Sequence, residues 1–250
     1  MELLNNSQIK LIKSLHQKKY RQEYKMFLLE GEKLVNEVIR DKHDIIEFIV
    51  IKEGYNFTAN SNLKVYKAKE NIFSALSTLS TPPPVLAVCN FLDDKEIPID
   101  FSKQFSFYLY SINDPGNFGT IIRVCDWFGI KQIYCSPDTV ELYNPKTVQA
   151  SKGSILRVSV KYIEFEKLNL SKKVPVFATT MDGENVYTLN IKNGLIILGN
   201  ESHGISNAIL KKVDQKITIP KHIDSKAESL NVAMSASIIA SEVFKNAQFV

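Results

Sequence analysis

Apolar positions along this chain follow two patterns. Short runs rich in β-branched residues, bounded by Gly, Pro, Asn or Asp, mark strands, and stretches with an apolar residue every three to four positions mark amphipathic helices. In the first hundred residues, Ile9, Ile12 and Leu15 share one helical face behind the polar start Asn5-Asn6-Ser7. Leu34, Val35, Val38 and Ile39 share another after Gly31. Strands are predicted over 45–51, 63–66 and 85–88, with a short helix over 71–79, so this part reads as a small α/β unit. The segment 93–100 is charged, contains Pro98 and lacks periodicity, which predicts an interdomain linker.

From Phe105 onward strands and helices alternate. Strands are predicted over 107–112, 132–135, 156–160, 174–179, 194–198 and 216–219. Helices are predicted over 117–128, 144–150, 206–211 and 229–246. This alternation predicts a parallel α/β sheet, and the expected division is a domain over 1–92, a linker over 93–104 and a second domain over 105–250.

Composition adds little: 44% hydrophobic and 23% charged residues describe an ordinary globular chain. The longest apolar run, Val85 to Cys89, is five residues, far below the roughly 18 needed to span a bilayer, so no membrane association is expected. Met1-Glu2-Leu3-Leu4-Asn5-Asn6 lacks a basic region followed by an apolar core, so no secretory signal is expected. Cys89, Cys125 and Cys135 are odd in number and lack metal-site spacing, and His203 and His222 have no ligand-spaced partner. A reducing cytoplasmic setting and no metal are therefore expected.

The net charge of +4 is mild, but its distribution is uneven. Residues 10–25 hold Lys10, Lys13, Lys18, Lys19, Arg21 and Lys25 against the single acid Glu23, with Tyr20 and Tyr24 interleaved. Such a run fits either a solvated helix face or a surface that tracks phosphates, with Lys18, Lys19, Arg21 and Lys25 as RNA contacts.

Candidate chemistry lies in three polar segments, each after a predicted strand, where ligands bind in open α/β sheets. The first, Asn113-Asp114-Pro115-Gly116-Asn117, is a turn leading into a helix that carries Arg123 in an otherwise apolar stretch. The second, Gly199-Asn200-Glu201-Ser202-His203-Gly204, offers a carboxylate and an imidazole but lacks the lysine of a phosphate loop. No Gly-x-Gly-x-x-Gly follows any strand, so nucleotide hydrolase and dehydrogenase readings both weaken. The third runs from Ile219-Pro220 to Ser229-Leu230-Asn231, with Ser229 expected to cap a final helix rich in small residues, buried against the core or a second subunit.

Together the three segments resemble the SpoU/TrmH family of the SPOUT superfamily, the S-adenosylmethionine-dependent RNA ribose methyltransferases. Asp114-Pro115-x-Asn117-x-Gly119-x-Ile121-x-Arg123 is similar to the family's first motif. Leu198-Gly199-x-Glu201-x-x-Gly204 is similar to its second, and Ile219-Pro220 with Ser229-Leu230-Asn231-Val232 to its third. Order and spacing agree across about 120 residues. Phe27-Leu28-Leu29-Glu30-Gly31-Glu32-Lys33-Leu34-Val35 is similar to the substrate-binding domain fused to many members. One departure is the seven-residue stretch 221–227, where the family usually has a shorter one that begins with Met and contains a glycine.

The resemblance implies a C-terminal parallel-sheet α/β domain closed by a trefoil knot, a smaller N-terminal α/β RNA-binding domain, and a homodimer with its site built across two subunits. It implies S-adenosylmethionine held by Thr179, Leu198, Gly199, Asn200, Ile219, Pro220 and Leu230. Methyl would pass to a ribose 2′-hydroxyl of ribosomal RNA, favoured over transfer RNA, with Arg123 gripping the substrate and Asn117, Glu201, Ser229 and Asn231 holding Arg123 and the ribose. The competing reading is a non-catalytic RNA-binding or ribosome-assembly factor on the same fold.

Overall fold

The computed structural model describes residues 2–58, 62–93, 97 and 99–248. The chain order is β1 (Glu2–Leu3), α1 (Asn6–Ser14), α2 (Lys18–Tyr24), β2 (Met26–Glu30), α3 (Glu32–Lys42), β3 (Ile46–Lys52), β4 (Val65–Ala68), α4 (Glu70–Leu76) and β5 (Val85–Asn90). There follow β6 (Phe105–Leu109), α5 (Pro115–Trp127), β7 (Gln132–Cys135), α6 (Pro145–Ser151), β8 (Ser159–Tyr162), β9 (Val176–Asn185), β10 (Gly194–Leu198), α7 (Asn207–Leu210), β11 (Gln215–Thr218) and α8 (Val232–Gln248). Two compact units result: one of Met1–Asp93 with Tyr143–Leu156, the other of Asp94–Leu142 with Arg157–Val250.

The first unit is built on a five-stranded mixed sheet in the order β1-β4-β3-β5-β2, with β5 antiparallel to both its neighbours. Apolar residues cover both faces of β3, which accounts for its unbroken hydrophobic run. Phe48 and Val50 join Ile12 and Leu15 from α1 and Phe73 and Leu76 from α4 in one core, while α3 packs against β2, β3 and β5. Helix α1 begins as its polar start predicts. The Asn5 side chain accepts from Gln8 N at 3.0 Å, and Gln8 Oε1 accepts from Asn5 N at 2.9 Å, a reciprocal cap. At the end of β2 the buried Glu30 carboxylate accepts from the hydroxyls of Ser77 and Thr78 and from Thr78 N.

The segment 143–156 departs from the expected division. It lies between β7 and β8 in sequence, yet its core is that of the first unit. The Tyr143 ring stacks on Phe91 at 3.9 Å and lies 4.6 Å from Phe27, its hydroxyl accepts from Leu92 N at 2.9 Å, and α6 packs on β2. The expected linker 93–104 is divided as well: most of it groups with the second unit, and residues 94–96 and 98 lie outside the described residues.

The second unit is a six-stranded sheet in the order β11-β9-β10-β6-β7-β8, parallel throughout. Alternation along the strands sorts the two faces. Phe107 and Leu109 of β6 and Ile196 and Leu198 of β10 meet Phe118, Ile121 and Ile122 of α5 and Ala233, Ala236 and Ala240 of α8. Tyr108, Leu195 and Ile197 face the other way, toward Ile205 and Ile209. The alanines of α8 thus serve close packing on the chain's own core. Chain reversal places β10 beside β6 at the centre of the sheet, so the loops after β6 and β10 open side by side at a topological switch point.

Candidate active site

The first loop ends in a well-made helix start. Asp114 caps α5 by accepting from Asn117 N at 2.7 Å, and Pro115 opens the helix with its φ already suitable. This fixes Asn117 in the first turn, with its side chain directed at the second loop.

That second loop folds back on itself directly after β10. A Cβ on Gly199 would lie 2.7 Å from Ile205 Cγ1 and 2.8 Å from Gly204 C, so the close approach demands glycine. The Asn200 side chain then holds the turn from within: its Oδ1 accepts from Ser202 N at 2.8 Å and His203 N at 3.0 Å. Its Nδ2 donates 2.7 Å to Ser111 O of the first loop. Ser111 has a left-handed φ of 54°, an uncommon state for a side-chain-bearing residue. Its amide donates to Ser136 Oγ at 2.7 Å and its hydroxyl to Asp138. Burial would raise the Asp138 pKa, but hydrogen bonds from Ser111 and Ser136 outweigh it and hold the carboxyl below its usual range.

The third loop runs from β11 to α8. Its unusual stretch 221–227 is braced internally, Lys221 Nζ donating to Ala227 O at 3.2 Å and Asp224 N to His222 Nδ1 at 3.2 Å. The cap of α8 is Asn231, whose Oδ1 accepts from Ala233 N at 2.9 Å and Met234 N at 3.3 Å. Ser229 is not the cap, because the helix starts at Val232 and only Asn231 sits one residue before it.

Between the second and third loops lies a cavity of about 660 Å³, within the range of roughly 300–1,000 Å³ typical of small-molecule sites. Thr179, Leu198, Gly199, Asn200, Ile219, Pro220 and Leu230 all line it, as do Glu201 and Ser229. Its walls are largely apolar, from Leu198, Ile205, Ile217 and Ile219, with strand-end peptide groups among them, a lining suited to a flat heterocycle. Sequence reasoning missed Met181, Asp182, His222 and Ser225, which also line it. Strand β9 runs on to Asn185 because Gly183 lets it touch β11: a Cβ there would lie 2.5 Å from Ile217 C. A glycine inside a strand was the available signal.

Three of the five expected catalytic residues come together, without Arg123 and Ser229. Asn117 Nδ2 donates to Glu201 Oε1 at 2.6 Å, and Asn231 Nδ2 donates to Asn117 Oδ1 at 2.8 Å, so one hydrogen-bonded row joins all three loops. Arg123 takes no part in it. Six residues beyond Asn117, it points about 240° around α5, is exposed, and does not line the cavity. Within the single chain, Asn117, Glu201, Ser229 and Asn231 therefore do not hold Arg123. Among the expected RNA contacts, Lys18, Lys19 and Lys25 are exposed, whereas Arg21 is 3% exposed and donates through Nη1 to Leu15 O at 2.6 Å. Its charge serves the fold of the first unit and is not presented to a ligand.

A parallel sheet with a pocket at its switch point, lined by the second and third loops and flanked by the row Glu201–Asn117–Asn231, has the form of a small-molecule site in an open α/β sheet. Residues 104–241 match the SpoU rRNA methylase family, and residues 6–87 match the MRM3-like substrate-binding domain. The chain belongs to the SpoU rRNA methylase family and is an RNA methyltransferase that uses S-adenosylmethionine. It is 29% identical to the 23S rRNA (guanosine(2553)-2′-O)-methyltransferase RlmP of Bacillus subtilis, over 96% of each chain. A TrmH-family protein from Porphyromonas gingivalis has a similar structure, with a TM-score of 0.81 and 30% identity, over 96% of this chain and 98% of that one. An S-adenosylmethionine-bound rRNA methyltransferase from Sinorhizobium meliloti gives 0.81 at 25% identity, over 98% and 97%.

Proposed function

We propose that this enzyme methylates a ribose 2′-hydroxyl of large-subunit ribosomal RNA, in the cytoplasm, as a homodimer. The observation that carries the reading is the row Glu201–Asn117–Asn231, which ties the three loops together at Glu201, a residue of the cavity wall. The ribosomal substrate is supported by the Bacillus subtilis relative and by a 23S rRNA (uridine(2479)-2′-O)-methyltransferase of Streptomyces viridochromogenes, 27% identical over 66% of this chain. Among the described residues no helix is long and apolar enough to cross a membrane.

When bound, the donor supplies an electrophilic methyl on its sulfonium. Apolar walls at Leu198, Ile219 and Leu230 and the strand-end backbone at Gly199 would hold its adenosine part. Thr179, whose hydroxyl donates to Ile197 O at 3.0 Å, ties β9 to the end of β10 beside it. The fixed loops would position the acceptor hydroxyl against the methyl, and positioning of this kind can supply much of the acceleration. Arg123 supplies a cation for the RNA backbone.

Because Arg123 lies off its own chain's cavity, the reading assigns it to the site of a second copy. Two large apolar side chains support an interface on the same helices: Trp127 at the end of α5 is 84% exposed and Met234 on α8 is 59% exposed. The trefoil knot implied by family likeness is part of this proposal.

The test is to incubate the protein with labelled S-adenosylmethionine and 23S rRNA, followed by nucleotide-resolution mapping of ribose methylation, with Arg123→Ala as control. Label at one ribose, absent with the variant, is the expected result. No transfer to ribosomal RNA under conditions where the donor binds sinks the reading.

A further inference from the structure

The short helix α2 carries an aromatic pair that the catalytic site does not use. The rings of Tyr20 and Tyr24 are nearly parallel, at 14°, with centroids 6.1 Å apart. Tyr24 is 43% exposed. Lysines surround the pair: Lys18 and Lys19 precede it, and Lys19 Nζ lies 5.6 Å from the centre of the Tyr20 ring. Lys25 follows it and is held firmly. Its backbone is left-handed at φ 54°, its carbonyl accepts from Phe91 N at 2.7 Å, and its ammonium sits 5.8 Å from the Phe91 ring centre.

We infer that Tyr24, backed by Tyr20, is a stacking platform for an unpaired RNA base, with Lys18, Lys19 and Lys25 holding the adjoining phosphates. An aromatic side chain that is already stacked on its inner side and fixed to a helix loses little freedom when a base covers its outer side. Bases within a duplex have both faces covered by their neighbours, so only a looped or single-stranded nucleotide offers one. Lysines alone would bind any phosphate backbone without regard to pairing. Their union with an exposed, pre-stacked ring selects unpaired RNA. The first unit thereby chooses a loop or a strand end as substrate, and not a regular helix. A purely structural pair, bracing a seven-residue helix, would be served as well by leucine at position 24.

This inference rests on the reading of the chain as an RNA-binding enzyme, and its test is separable from that reading. The full-length protein is titrated with a short single-stranded oligoribonucleotide containing 2-aminopurine and with the same oligomer annealed to its complement. The expected result is tighter binding of the single strand with quenching of the 2-aminopurine. Tyr24→Leu and Tyr24→Ala weaken single-strand binding roughly tenfold and leave duplex binding unchanged, whereas Tyr24→Phe and Tyr24→Trp keep the wild-type affinity. Equal binding of the single strand by wild type and Tyr24→Leu, or binding without quenching, overturns the platform. Methyl transfer to ribosomal RNA is assayed in parallel. Its absence beside intact Tyr24-dependent binding overturns the enzymatic reading alone.

Discussion

Asn231 Nδ2 and Asn117 Oδ1 lie 2.8 Å apart although 114 positions separate the residues in sequence. Each asparagine belongs to the first turn or cap of a long helix, Asn117 inside α5 and Asn231 ahead of α8. The pair therefore fixes two helix starts relative to one another, and Glu201 extends the tie to the loop that forms one side of the cavity.

Asn231 has two tasks that substitution can separate. Asn231→Ala loses the cap and the link to Asn117, and should cost about 1–2 kcal/mol of stability along with most of the activity. Asn231→Asp keeps an acceptor for Ala233 N but has no donor for Asn117. Its thermal midpoint should stay near wild type while the methyl-transfer rate falls. Melting curves and initial rates, measured side by side, check this; equal rates for Asn231→Asp and wild type would remove the linking role.

Gly199 should tolerate no side chain. Alanine there meets Ile205 and the Gly204 backbone at under 3.0 Å, so the loop must shift. Overpacking of this kind costs about 1–3 kcal/mol. Because the strain falls on the cavity wall, calorimetric affinity for S-adenosylmethionine should drop about tenfold or more in Gly199→Ala.

Arg123 offers a test of the composite site. Arg123→Ala alters an exposed residue and should leave the thermal midpoint and donor affinity within error while abolishing transfer. Mixed with Glu201→Ala after exchange of subunits, it should recover about a quarter of wild-type activity, because half the dimers then hold one intact site. No recovery would place Arg123 in service of its own chain.

The Ser111–Asp138 contact should give stability an acidic edge. The folded-state pKa of Asp138 is lowered from 3.8, so the folded form binds its proton more weakly than the unfolded chain does. The contribution is complete above the unfolded value and is lost as pH falls through the folded one. Asp138→Asn should therefore narrow its stability gap from wild type as denaturation is measured at successively lower pH below about 4.

Part of the catalytic unit was legible in the sequence because its central strands β7 and β10 are buried on both faces and are followed by turn residues. Strand β7 has the boundaries that composition suggests, and the aliphatic run Leu195–Leu198 ends its strand where Gly199 predicts. What escaped were choices that local pattern leaves open. Periodicity shows that 145–151 is a helix but not which core receives it; Tyr143, Phe91 and Phe27 decide that. A charge count places Arg21 with its lysine neighbours, whereas only the fold reveals that the carbonyl of Leu15 claims it. Ser229 and Asn231 are both good caps two residues apart, and the partner Asn117 settles which is used. The direction of Arg123 is different: six helical steps from Asn117 already put it on another face.

The chain passes between its two units at three places, after Asp93, after Leu142 and after Leu156. A single nick in the expected linker would leave the fragments joined by noncovalent contacts, since residues 143–156 would remain seated on β2 from the severed piece. Shortening the gene to residues 105–250 would expose Tyr143 and Val148, which the first unit now covers. Such a product would carry a sticky patch unrelated to catalysis, and its insolubility would say nothing about whether the methyl-transfer machinery can fold.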